Sequence, residues 1–147
     1  MKKASLEQFI NRYNLGGEVE SVKNTSSDSE MKVSFISDDK TLLGEVTSKE
    51  GEFPNGEFGV YTTSQLKALL GVLSPTMDVN STESYIKFSD KGTSVNYMLA
   101  DLSVIPVVPD LKQLPDFNGE ITLDNEFIST FVKSKGALSE SDTFTFS

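Results

Sequence analysis

Apolar residues recur with helical spacing in three places along the chain. Leu6, Phe9, Ile10 and Tyr13 fall at i, i+3, i+4 and i+7, and Leu66, Leu69, Leu70 and Leu73 repeat that spacing. Each set makes one stripe on a helix. Phe127, Ile128 and Phe131 form a third, shorter stripe, and "QFINRY" and "EFISTF" match in the placing of their apolar residues. The spacing predicts helices over residues 5–15, 64–73 and 125–135. Ser5 with Gln8 and Thr62 with Gln65 fit capping boxes, Asp124 fits a cap, and Gly16-Gly17, Pro75 and Gly136 fit stops.

Between the helices the period changes to two. "MKVSFIS" alternates Met31, Val33 and Phe35, and "LLGEVTS" and "GEFGVYT" read as further strands. "SYIKFSDKGTSVNYML" is a hairpin that turns through Asp90-Lys91-Gly92. "NTSSDSE" from Asn24 and "SKEGEFPNGE" from Ser48 are rich in Ser, Asn, Gly and acid and read as loops. From Ser103 to Gly119, Pro106, Pro109 and Pro115 exclude a helix or a central strand, leaving an extended connector. The pattern then restarts with "EITL" as a strand, followed by the third helix, and breaks off within "DTFTFS", itself strand-like with a pairing edge near Thr143 to Phe146.

The organisation expected is α+β, with helices on one face of antiparallel sheet and a helix-and-strand unit repeated inside the chain. A first domain covers 1–102, a proline-rich connector 103–118, and the start of a second domain 119–147. So short a second piece does not bury a core alone. It packs on the first domain or a partner, or the chain is part of a longer protein.

Composition narrows the chemistry. The chain has 147 residues, no cysteine and no histidine. That removes disulfides, thiolate chemistry, Cys-ligated metals and the commonest general base. Asp38-Asp39 in "SDDK" reads as a turn, and "SDSE" at 27–30 lacks the spacing and glycine of a calcium loop. Gly16-Gly17 is followed by no Gly-Lys-Ser/Thr phosphate loop. "NTS" at Asn24 and "NST" at Asn80 match glycosylation acceptors but follow no secretory signal. The expected protein is not an enzyme and uses no cofactor or metal. No apolar run reaches the ~20 residues of a membrane span, so no membrane partner is expected and a reducing cytoplasm is the simple compartment.

The net charge of −9 argues against nucleic acid until its distribution is considered. The three helices carry four basic residues, Arg12, Lys67, Lys133 and Lys135, against Glu7 and Glu126, a net +2. The remainder carries 9 basic and 20 acidic residues, a net −11. An ordinary solvated helix surface gives such a count. So does a weakly positive helical surface that touches DNA phosphates without sequence preference.

"FGVYTTSQLKALLGVLSPTMDVNSTESYIKFSDKGTSVNYMLADLSVI" resembles the first domain of the sliding clamps of T-even-type bacteriophages, processivity factors of the replicative DNA polymerase. The proline-rich connector and the restart at "GEITLDNEFISTFV" resemble the passage into that family's second domain. The resemblance implies the DNA-clamp fold. It implies a ring of three two-domain subunits, with sheets as the outer wall and helices lining a channel around duplex DNA. The partners it implies are the replicative DNA polymerase and a clamp loader, in the cytoplasm of the host cell. Carried onto this sequence, the channel-facing candidates are Lys2, Lys3, Arg12, Lys67, Lys133 and Lys135, with Arg12 and Lys67 on one exposed helical face. The candidates for docking partner tails are Val104, Ile105, Val107, Val108 and Leu111 in the connector, which an anchoring role would explain equally. The rival reading is an acidic structural or binding module, such as a phage virion protein. More distant is a small enzyme using paired carboxylates.

Overall fold

The computed structural model describes residues 1–49, 52–110 and 113–145. The chain divides into two compact units, Met1–Asp110 and Leu111–Ser147.

The first unit opens on α1 (Lys3–Asn14). Its stripe of Leu6, Phe9, Ile10 and Tyr13 is buried, as the spacing requires. The helix begins earlier than expected. Lys2 is its N-cap and makes no side-chain cap, so Ser5 lies within the first turn and the Ser5–Gln8 capping box does not form. The cause is long-range: Lys3 N donates to Pro75 O (2.9 Å) and Met77 N to Met1 O (3.0 Å), which fixes the chain ahead of Ser5. The helix stops where Leu15 and Gly16 take left-handed backbone angles, which Gly tolerates without strain.

Four antiparallel strands follow: β1 (Val22–Ser27), β2 (Glu30–Ile36), β3 (Leu43–Ser48) and β4 (Gly56–Val60). Their order is β3-β2-β1-β4. β1 is a correction, because "NTSS" is strand rather than loop. Its inward positions are Val22, Asn24 and Ser26, all buried. Two of the three are polar, which erased the alternation from the sequence. Phe35 pairs with Gly44 across β2 and β3, and its ring fills the space a Cβ at Gly44 would need.

α2 (Thr63–Leu70) comes next. It ends before Leu73, which is buried in the turn beyond it. β5 (Asp78–Ser81), β6 (Tyr85–Ser89) and β7 (Ser94–Met98) form a separate sheet in sequential order. The strands thus divide into two sheets. Ala100 N donates to Gly59 O (2.9 Å), tying the segment after β7 to β4. A Cβ at Gly59 would collide with the Ala100 carbonyl, so this approach needs glycine. Helix followed by antiparallel strands occurs twice, and one buried apolar cluster unites the inner faces of both sheets with both helices. The outward positions of the strands, among them Lys23, Lys32 and Lys87, are exposed.

The second unit contains α3 (Asn125–Ala137). Asp124 caps it, accepting from Phe127 N at 2.7 Å, and the helix runs through Gly136 instead of stopping there. "EITL" is not a strand, nor are residues 142–145. A strand needs a neighbour for its N–H and C=O groups, and no strand lies in this unit among the described residues. Phe146 lies outside them. On α3 Phe127 and Ile128 are exposed, while Phe131 is half-buried, its ring 4.8 Å from that of Phe144.

Candidate nucleic-acid interface and connector groove

α1 and α2 pack against each other, with α1 also on β3 and α2 on β7. The sides of the helices away from the core carry Ala4, Gln8 and Asn11 on α1 and Ser64, Gln65 and Ala68 on α2, all exposed. Uncharged small and amide side chains therefore dominate this helical surface. The predicted cations stand at its margins or are engaged elsewhere. Lys2 is exposed at the head of α1. Lys3 donates from Nζ to Leu73 O (2.8 Å), half-buried in the packing beside α2. Arg12 is exposed in the last turn of α1. Lys67 is only half exposed, and its charge acts on Glu20. Lys133 and Lys135 belong to the second unit. Lys133 is exposed, whereas Lys135 Nζ donates to Ser141 O (2.6 Å) and lies 5.8 Å from the Phe144 ring centre.

The join between the helices is a polar seam that the apolar pattern did not disclose. The Thr62–Gln65 capping box is replaced by Glu20, from the loop before β1. Glu20 Oε2 accepts from Ser64 N (2.8 Å), and Oε1 accepts from Ser64 Oγ and from Asn14 Nδ2 (3.3 Å). The Glu20 backbone carbonyl accepts from Thr63 N (3.0 Å) and Thr63 Oγ1 (2.8 Å). Asn14 Nδ2 also donates to Val19 O (2.7 Å), and the Tyr13 hydroxyl meets Thr63 Oγ1 at 3.2 Å. One carboxylate thus satisfies the start of α2 and holds it to the end of α1. Partial burial pushes the Glu20 carboxyl upward. The Ser64 hydroxyl and amide, the Asn14 amide and the Lys67 charge outweigh that, and its pKa ends below the usual value. Burial pushes the Tyr13 phenol up to about 12. Asn24 Oδ1, facing this seam from β1, is buried without a hydrogen-bond partner among the described residues.

The connector candidates separate by exposure. After β7 one 3-10 turn (Leu102–Val104) is capped by Asp101, whose Oδ1 accepts from Ser103 N at 2.8 Å. Ile105 is 6% exposed and anchors the connector, whereas Val107 is 91% exposed; Val104 is exposed and Val108 half-buried. Leu111 lies outside the described residues. Ile105 to Val108, with Leu102, form one wall of a groove of about 410 Å³. The opposite wall is the outward face of β1 and β2: Lys23, Thr25, Lys32 and Ser34. These two lysines were not singled out in the sequence, since only the register of β1 on β2 makes them neighbours. Each is held by a surface ion pair at 3.0 Å, Lys23 to Glu57 and Lys32 to Glu45. The arrangement presents apolar side chains beside two ion-paired surface lysines. Among the described residues no cluster of three or more acidic side chains is placed to hold a metal ion, and no helix is long and apolar enough to cross a membrane.

No protein-family model matches the chain, and no curated protein matches it in sequence. Its structure is similar to the crystal structure of the DNA polymerase III subunit beta from Pseudomonas aeruginosa, with a TM-score of 0.50 and 12% sequence identity. The match covers 75% of this chain and 32% of that one, so the chain spans about a third of the length of its structural neighbour. An identity this low shows the fold alone. The architecture is α+β with the helices and antiparallel sheets of the DNA-clamp fold.

Proposed function

We propose that this chain is a non-catalytic DNA sliding-clamp subunit, or part of one, of the kind that T-even-type phages use to keep a replicative polymerase on its template. The observation that carries the reading is the α1–α2 pair: two helices side by side, backed by antiparallel sheets, presenting a surface of short uncharged residues with Lys2, Arg12 and Lys67 at its margins. Such a surface touches a phosphate backbone weakly and without reading bases. The fold shared with a DNA polymerase III subunit beta supports the same conclusion. On this reading the helices face duplex DNA within a ring, a homotrimer in the full-length protein, which a loader places on DNA in the host cytoplasm. The groove along Leu102–Val108 receives a tail of the polymerase or loader, with Val104, Val107 and Val108 making contact and Ile105 anchoring the wall.

The test is a duplex titration of the chain at low salt, read by fluorescence anisotropy, beside Arg12→Glu and Lys67→Glu variants. Weak binding that falls with salt, is indifferent to sequence and is lost in the double variant is the expected result. Binding that survives both reversals would refute the helical surface as the DNA-facing one. A full-length protein that stays monomeric by light scattering at assay concentrations would refute the ring and favour an acidic binding module.

A further inference from the structure

One cleft of about 250 Å³ lies between α1 and the end of β3, at the flank of the helical surface. Ser5, Gln8 and Arg12 reach it from α1, spaced i, i+3 and i+7, and so stand on one side of the helix. Thr47 and Ser48 at the end of β3, and Lys49 just beyond it, line it from the other side. Arg12 is the only arginine of the chain. Its planar fork suits a phosphate group, and an ammonium adds a point charge without competing for the same geometry. Neither cation is in an ion pair among the described residues, unlike Lys23 and Lys32. The described lining contains no acid. Phe9, which is buried, forms part of the cleft lining, and both cations are exposed.

We propose that Arg12 and Lys49 together grip a single backbone phosphate of duplex DNA in this cleft. Lys49 was not a candidate in the sequence, because it lies in a loop full of acids and far from the helices. The inference rests on the DNA-facing reading of α1 and adds to it a fixed contact at the margin of an otherwise uncharged surface. Such a contact sets where the duplex backbone runs relative to α1 and yields readily, since only one phosphate is held.

The experiment is an amide and arginine side-chain NMR titration of the chain with a short duplex at low salt. Parallel arms use inorganic phosphate and the variants Arg12→Ala, Lys49→Ala, the double variant, Glu50→Gln and a distant control, Lys91→Ala. The expected result is joint movement of the Arg12 Nε–H signal and the amides of 47–49. Lys49→Ala abolishes the movement of the Arg12 Nε–H signal, Arg12→Ala abolishes that of the amides of 47–49, and the double variant binds no more weakly than either single. The slope of log affinity against log salt falls by about 0.9, one phosphate, in all three. Additive losses with a slope change of about 1.8 would mean two independent phosphates and would overturn the shared grip. Shifts along α1 and α2 with none at 47–49 would overturn the cleft and leave the helical reading standing. No shift anywhere at low salt would overturn both. Inorganic phosphate reproducing the pattern where duplex does not would show a free-anion site instead, against the proposal. Glu50 follows Lys49 in sequence and lies outside the described residues, so its charge is tested directly. Tighter binding of Glu50→Gln is expected, and weaker binding would mean that a carboxylate organises the two cations, contrary to the proposal.

Discussion

Replacing Glu20 tests how the two helices are held side by side. Its carboxylate accepts from Ser64 N, Ser64 Oγ and Asn14 Nδ2, and no side chain within α2 caps the helix in its place. Losing an N-terminal cap costs about 1 kcal/mol, and a charged acceptor at a helix start adds up to about 1 kcal/mol more. Glu20→Ala is therefore expected to destabilise the chain by about 2 kcal/mol, which for a unit of this size lowers Tm by roughly 8 °C. Glu20→Gln keeps one acceptor and loses the charge, so about half that loss is expected. The pH dependence carries the sharper test. The folded-state pKa of Glu20 lies below its ordinary value of 4.5. The unfolded chain therefore binds this proton more readily, and the stabilisation is present above pH 4.5 and is lost as pH falls through the lower, folded value. Wild type and Glu20→Ala are compared by thermal unfolding from neutral pH downward. Their difference should hold steady above about pH 6 and shrink below the ordinary carboxyl range. Equal Tm values at neutral pH, or a difference that persists into acid, would refute the carboxylate as the clasp.

Gly59→Ala is expected to cost about 1–3 kcal/mol in chemical denaturation, because its Cβ would strike the Ala100 carbonyl and spread the contact between β4 and the segment after β7. Ile105→Ala should cost roughly 2 kcal/mol as a buried anchor is removed, while Val107→Ser stays within about 0.5 kcal/mol of wild type. On the proposed function, Val107→Ser nevertheless weakens capture of a polymerase tail, measured by calorimetry with the tail peptide. Asp90→Ala removes the acceptor for the Ser74, Gly92 and Thr93 amides, and hydrogen exchange at those amides should rise while the core of β6 stays protected.

The strands and helices that were legible in the sequence are those whose buried positions are apolar. Leu6 to Tyr13, Met31 to Phe35 and the hairpin 85–98 follow their periods because the core accepts only apolar side chains there. β1 does not show the period of a strand because Asn24 and Ser26 occupy inward positions. "EITL" departs in the opposite sense, since its alternation has no strand to pair with in its unit among the described residues. Both capping boxes failed for one reason. The donors at a helix start take whichever acceptor tertiary structure brings close, and here these were backbone pairing with 75–77 and the carboxylate of Glu20. For the site, residue type was legible and engagement was not. Lys3 and Lys135 look like Lys2 and Lys133 in the sequence, yet their amino groups are turned onto backbone carbonyls. Lys23 and Lys32 lie apart in sequence and come to line one groove only through the β1–β2 register, which sets them diagonally across the two strands.

The distribution of charge links the acidic composition to the helical surface. A protein that holds DNA by affinity needs several phosphate contacts, and each makes departure slower. Here the exposed centres of α1 and α2 are Ala4, Gln8, Asn11, Ser64, Gln65 and Ala68, while the only arginine stands at the border with β3. The net charge of −9 on the whole chain opposes the approach of a duplex at long range. Affinity alone would then hold DNA poorly. Retention by encirclement removes the need for affinity, and under that condition a helical surface with few cations is an advantage, because each released phosphate costs little as the duplex moves past. On the proposed function, adding lysines at Gln8, Asn11 and Ala68 would tighten duplex binding by the chain and slow diffusion of the assembled ring along DNA. A variant that bound more tightly and slid just as fast would separate the charge of this surface from sliding and undo the argument.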